Sequence, residues 1–90
     1  MTTEEIDALL GNITALHHGG HSPTSPERCS AEEVNARLGR PGSVACPPCM
    51  EGTQAAPLWG LVVPFNDAWG PGCPLERRTA GQLRLLRAVL

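Results

Sequence analysis

The sequence predicts a small, mostly α-helical and loop-rich single domain, residues 1–90, with one short strand or hairpin. Three observations lead to this fold class. The chain has 90 residues, including 10 Gly and 9 Pro, and both residue types weaken the interior of helices and strands. Its aromatic residues are two Trp and one Phe, so the hydrophobic core of such a short chain is small. Apolar residues at helical spacing occur near both ends of the chain.

The N-terminal segment carries the clearest helical pattern, and we expect a helix over residues 2–17. Thr2 and Glu5 have the spacing of a capping box, and acidic residues lie in the first turn, where the helix dipole favours negative charge. Gly19 and Gly20 are typical of a helix end. The apolar positions fall on one helical face and are Ile6, Leu9, Leu10, Ile13 and Leu16.

The middle of the chain is predicted to be mostly loop. Residues 19–28, GGHSPTSPER, form the one segment that could act as a flexible loop. A short helix should follow, with Ser30 and Glu33 as its capping box and Gly39 as its end. Residues 58–65, LWGLVVPF, are apolar and partly β-branched and end near Pro64, which predicts the single strand.

The C-terminal segment, RTAGQLRLLRAVL, predicts an amphipathic helix. Thr79 and Gln82 have capping-box spacing, and the leucines after them form a wide apolar face. Residues 75–90 carry a charge of +3, from four Arg and one Glu, whereas residues 1–16 carry −3. We expect the basic helix to contact a partner, the alternative being a core helix with a solvated basic face. The candidate partner-binding residues are Arg77, Arg78, Arg84 and Arg87.

Composition and charge exclude several classes of protein. The formal net charge is −2, which is not that of a strongly basic nucleic-acid coat. The seven basic residues are all Arg, a usage typical of a GC-rich genome such as that of an actinobacterium or its phage. No basic, apolar leader and no apolar run of about 18 residues is present, so we expect a cytoplasmic chain without a membrane span.

Four cysteines are spaced C-x16-C-x2-C-x23-C, and residues 46–52 read CPPCMEG. In a reducing cytoplasm such cysteines favour a metal site over disulfides, and a C-x2-C turn lets two thiolates reach one Zn²⁺ ion. We therefore expect a zinc-stabilised domain, with ordinary free or buried thiols, disulfides and a C-x2-C redox pair as alternatives. The predicted ligands are Cys29, Cys46, Cys49 and Cys73, with His17, His18 or His21 as possible substitutes.

These features predict a small zinc-stabilised module that binds a macromolecule, most simply a protein, in an interaction or regulatory role. A nucleic-acid-binding or transcription-accessory zinc protein is the first alternative, and a C-x2-C thiol oxidoreductase is the second. No Gly-rich phosphate loop is present, and no nucleophile has a clear His and acid arrangement, so we expect no catalysis.

Two segments, CPPCMEGT and LERRTAGQLRLLRAVL, resemble the actinobacterial RNA polymerase-binding protein A family. The resemblance implies a small zinc-binding or zinc-derived core followed by a leucine-rich terminal helix that contacts a sigma factor. It implies that Cys46 and Cys49 belong to the zinc site. It also implies that Glu76, Arg77, Arg78 and the helix over residues 83–90 contact the transcription machinery.

Overall fold

The computed structural model of the chain describes residues 1–22, 24–70 and 72–90. Over these ranges it has four α-helices and two 3₁₀ helices connected by loops. The α-helices are α1 (Thr3–Leu10), α2 (Ser30–Arg37), α3 (Val62–Ala68) and α4 (Leu75–Val89), and the 3₁₀ helices are Pro48–Met50 and Ala56–Leu61. Helix α4 packs against α2, against α3 and against the second 3₁₀ helix, and α1 packs against α2.

The predicted strand over residues 58–65 is wrong, and the described residues contain neither a strand nor a hairpin. The segment forms the second 3₁₀ helix and the start of α3. Trp59, Val62 and Asn66 are buried at spacings of three and four residues, which is a helical face. Pro64 is the third residue of α3, in the first turn, where a backbone amide has no intrahelical acceptor to lose.

Helix α1 begins as predicted and ends much earlier than predicted. The capping box at its start is confirmed, because the Glu5 amide donates to Thr2 Oγ1 and the Thr2 amide donates to Glu5 Oε1, both at 3.1 Å. The helix stops at Leu10, and Arg37 Nη1 donates to the carbonyl oxygens of Leu9 and Gly11 at 3.0 and 2.6 Å. A side chain of α2 therefore satisfies one carbonyl in the last turn of α1 and the carbonyl of its C-cap residue.

Of the other two predicted capping boxes, one is shifted by a residue and the other is not formed. The N-cap of α2 is Cys29, whose amide donates to Glu32 Oε1 at 2.7 Å, so the box is shifted by one residue from Ser30 and Glu33. Helix α4 already begins at Leu75, after Pro74. Consequently Thr79 and Gln82 lie inside α4, where both are buried.

A polar seam crosses the centre of the fold and consists of the buried residues Ser30, Asn66, Thr79 and Gln82. Gln82 Nε2 donates to Ser30 Oγ at 2.7 Å and to the Val62 carbonyl at 3.2 Å. The Ser30 amide donates to Asn66 Oδ1 at 3.2 Å, and the Leu16 amide donates to Thr79 Oγ1 at 3.0 Å. The seam thus joins α2, α3, α4 and the segment after α1 by buried hydrogen bonds. Apolar side chains surround it, including Leu10, Val34, Met50, Trp59, Val62, Leu86 and Val89.

Candidate functional site

The predicted zinc ligands lie in four different surroundings. Cys29 is buried at the start of α2, Cys46 is half-buried, Cys49 is exposed in the first 3₁₀ helix, and Cys73 is half-buried before α4. All four are free thiols. Among residues 1–22, 24–70 and 72–90, no three Cys, His, Asp or Glu side chains come together to hold a metal ion. The zinc site therefore stays a prediction from the sequence.

His21 lies in the predicted loop over residues 19–28, and His17 and His18 directly precede it. Pro23 of this loop lies outside the described residues. His21 is tied to α2, because its amide donates to Glu32 Oε2 at 2.7 Å and its Nδ1 lies 3.0 Å from Glu32 Oε1. Burial acts to raise the pKa of Glu32, but hydrogen bonds from the Cys29 amide and from His21 outweigh it and lower that pKa below its usual value. His21 therefore has a structural partner, while His17 packs edge-on against its ring and His18 is exposed.

Reactivity of the thiols should follow their burial. Burial raises the pKa of the Cys29 thiol to about 12, so it stays protonated and unreactive at pH 8. We expect iodoacetamide to label Cys49 readily in the native protein and to label Cys29 only after unfolding, as measured by peptide mass spectrometry.

The same labelling, repeated after treatment with a chelator, tests the zinc prediction. Thiolates bound to zinc are protected, so labelling of Cys46 and Cys49 that appears only after chelation would support a metal site. Fast labelling of Cys29 in the native protein would contradict its burial.

The four candidate partner-binding arginines are not equivalent in the structure. Arg78 is buried and its Nη2 donates to the Gly70 carbonyl beyond the end of α3. Arg87 is exposed and contacts Asp7 of α1 in an ion pair. Arg77 and Arg84 are exposed, and neither forms an ion pair with any part of the chain that the structure describes. Only these two remain available to a partner without breaking a contact of the fold.

An apolar stripe runs along the outer side of the second 3₁₀ helix and α3. Leu58, Leu61, Phe65 and Trp69 follow one another at spacings of three, four and four residues. Their exposed fractions are 45, 40, 48 and 40%, respectively. Residues three apart eclipse one another in a 3₁₀ helix, and residues four apart adjoin in an α-helix, so the four side chains form one continuous row.

Part of the stripe forms a groove between α3 and α4. The groove is a cavity of about 300 Å³, open to the surface. Two of its walls are aromatic, Phe65 and Trp69, and its far side is the surface of α4. The lining residues are Phe65, Ala68, Trp69, Gly81, Gln82 and Leu85.

Gly81 determines the shape of this groove. A Cβ atom at position 81 would lie 2.3 Å from Cζ2 of Trp69, so only glycine lets the indole ring lie against α4. Trp69 Nε1 then donates to Gln82 Oε1 at 3.2 Å, which connects the groove to the polar seam. Glycine inside a helix costs about 1 kcal/mol relative to alanine, and here it makes room for one wall of the groove.

Sequence reasoning missed the groove because residues 58–65 were interpreted as a strand. The signal was present, since the residues after Pro57 form two rows at three- and four-residue spacing, a buried one that ends at Asn66 and an exposed, wholly apolar one. A strand interpretation groups alternate residues on one face, so it does not separate residues that are three or four positions apart into a buried and an exposed row.

Comparison with protein-family models, with curated proteins and with solved structures finds no match to this chain. The resemblance to the RNA polymerase-binding protein A family therefore stays a prediction.

Among the helices of the described ranges, none combines the length and the apolar character that crossing a bilayer requires.

Proposed function

We propose that this protein is a binding module, without catalytic activity, that recognises another protein through the groove between α3 and α4. The observation that carries the proposal is the apolar stripe, whose four large side chains are each at least 40% exposed. Small monomeric proteins seldom leave apolar side chains in a contiguous exposed row, and such patches mark interaction sites. A cytoplasmic location, expected from the sequence, is kept as part of the proposal.

The shape of the surface favours a protein partner. The stripe spans residues 58–69, which corresponds to roughly 18 Å along the two helices. It is a long, shallow surface rather than an enclosed pocket, and an amphipathic helix of about 12 residues has the same length. Helices that dock in apolar grooves use anchors at i, i+3 or i+4 and i+7, which is the spacing of the stripe itself.

Two local features of the structure maintain the shape of the groove. Glycine at position 81 weakens α4 but lets the Trp69 indole lie against the helix. The hydrogen bond to Gln82 then holds the indole in place. A tryptophan whose indole is fixed at one edge and whose ring is partly exposed is the type of residue that dominates binding energies in protein interfaces.

A titration with an uncharged amphipathic peptide tests the proposal. The probe is a helical peptide of about 15 residues, with Leu and Phe on one face and Gln elsewhere, added to ¹⁵N-labelled protein. We expect chemical-shift changes at the groove residues and at the Trp69 indole, with a Kd below about 1 mM. A peptide of the same composition, scrambled so that the apolar face is lost, should cause no shifts. Absence of groove shifts with the amphipathic peptide would contradict the proposal.

A further inference from the structure

The charges beside the groove narrow the kind of partner it fits. Arg77 lies four residues before Gly81 and Arg84 lies three residues after it, so both arginines neighbour Gly81 on the surface of α4, at the edge of the groove and outside its lining. Both are exposed. The rim of the groove along α4 is therefore positively charged, although the chain as a whole has a net charge of −2.

No carboxylate of α3 or α4 lies at this rim. Glu76 is five residues from Gly81, which places it roughly 140° around α4. Asp67, the single acid in the sequence of α3, accepts hydrogen bonds from the Gly19 amide at 3.0 Å and from Asn66 Nδ2 at 3.2 Å. These contacts hold it on the side of α3 that packs against the loop after α1, away from the groove.

From this arrangement we propose that the groove binds an amphipathic helix of a partner protein whose polar flank is acidic. The inference rests on the proposed function and adds the charge of the partner. Leu and aromatic side chains of that helix would fill the groove and cover the apolar stripe. Its Asp or Glu side chains would meet the guanidinium groups of Arg77 and Arg84, whose donors suit carboxylates.

A second copy of this chain is a poorer occupant on the same grounds. A symmetric dimer places the same patch of each subunit against its counterpart. Such a dimer would bring Arg77 and Arg84 of each copy into one interface with no carboxylate from α3 or α4 between them. Like charges across an interface oppose association, so the arginines favour a different, acidic partner.

A charge series of peptides tests the inference. The Gln-flanked probe is compared with peptides that carry the same Leu and Phe anchors but Glu or Lys on the flank. At low salt we expect the Glu peptide to bind at least about tenfold more tightly than the Gln peptide and the Lys peptide to bind most weakly. The difference between the Glu and Gln peptides should shrink as salt is raised toward about 1 M, because screening weakens exposed charge pairs.

Variants assign this preference to individual arginines. The double variant Arg77→Gln with Arg84→Gln should bind the Glu peptide no more tightly than the Gln peptide. Arg87→Gln is the matched control, because Arg87 is on the same helix and contacts Asp7 instead, and it should keep the preference.

The outcomes separate this inference from the proposed function. If the Gln and Glu peptides bind the groove equally well, the acidic partner is wrong while the groove remains a binding site. If none of the three peptides shifts the groove resonances, both proposals fail. Self-association through the groove, detected by light scattering, or groove shifts caused by a DNA duplex would also overturn the acidic helix.

Discussion

Replacing Gln82 by alanine is expected to lower the free energy of unfolding by about 3 to 5 kcal/mol, among the largest effects of any single substitution in this chain. The side chain is 1% exposed and forms three hydrogen bonds, to Ser30 Oγ, to the Val62 carbonyl and from Trp69 Nε1. Each buried bond contributes about 1 kcal/mol, and the partners left without water or a protein group add a further penalty. Small domains have only about 5 to 10 kcal/mol of stability, so this variant should be marginally folded.

Two further variants separate hydrogen bonding from volume. Gln82→Met keeps most of the volume but removes the polar atoms, and we expect it to recover less than half of the loss. Arg84→Ala, exposed on the same helix, should change stability by no more than about 0.5 kcal/mol. Urea unfolding followed by circular dichroism gives all three values. A Gln82→Ala protein within 1 kcal/mol of the parent would show that the polar seam contributes little.

Replacing Phe65 by aspartate is expected to weaken binding of the uncharged amphipathic peptide strongly while leaving the fold intact. Phe65 is 48% exposed and lines the groove, so a carboxylate there would put a charge against the apolar anchors of the peptide. We expect the affinity to fall at least tenfold, a loss of about 1.4 kcal/mol or more in binding free energy. The stability of the variant should stay within about 1 kcal/mol of the parent, because much of the side chain already contacts water.

The matched control for Phe65→Asp is Leu38→Asp. Leu38 is also a large, partly exposed apolar residue, 36% exposed at the end of α2, and it does not line the groove. It should bind the peptide like the parent protein. The comparison fails to support the groove if both variants lose binding equally, or if Phe65→Asp keeps it. Circular dichroism spectra of the two variants exclude unfolding as the cause.

Buried polar side chains contribute to holding the chain together, a feature that the sequence did not predict. A short chain with few aromatic residues needs more than its apolar core, and the cysteine spacing suggested a metal ion. In the described residues no three Cys, His, Asp or Glu side chains come together to hold a metal ion, and buried polar side chains link α2, α3 and α4. Ser30, Thr79 and Gln82 carried capping-box patterns in the sequence, but their side chains are directed into the core.

Local sequence determined the helix positions where capping and helical spacing act within a few residues. The start of α1 at the Thr2 and Glu5 capping box is the clearest case. The existence of α2 and α4 was predicted from the helical spacing of their apolar residues, although neither predicted capping box marked the helix start. Boundaries were less predictable. Gly11, which has an extended backbone, and Asn12, which has a φ of 66°, end α1 locally. Arg37 also contacts this end from another helix, and that contact could not be predicted from the residues around Leu10.

The secondary structure of residues 58–69 was decided by tertiary packing alone. The run of apolar and β-branched residues is compatible with a strand or a helix, and short apolar runs cannot be assigned by periodicity alone. A strand requires a partner to satisfy its backbone, and within the described ranges no second segment provides one. A helix satisfies its backbone internally, and packing against α2 and α4 buries Trp59, Val62 and Asn66 while leaving the stripe outside. The groove exists because Gly81, in a distant segment, lies under Trp69, and contacts between distant segments are set by packing rather than by neighbouring residues.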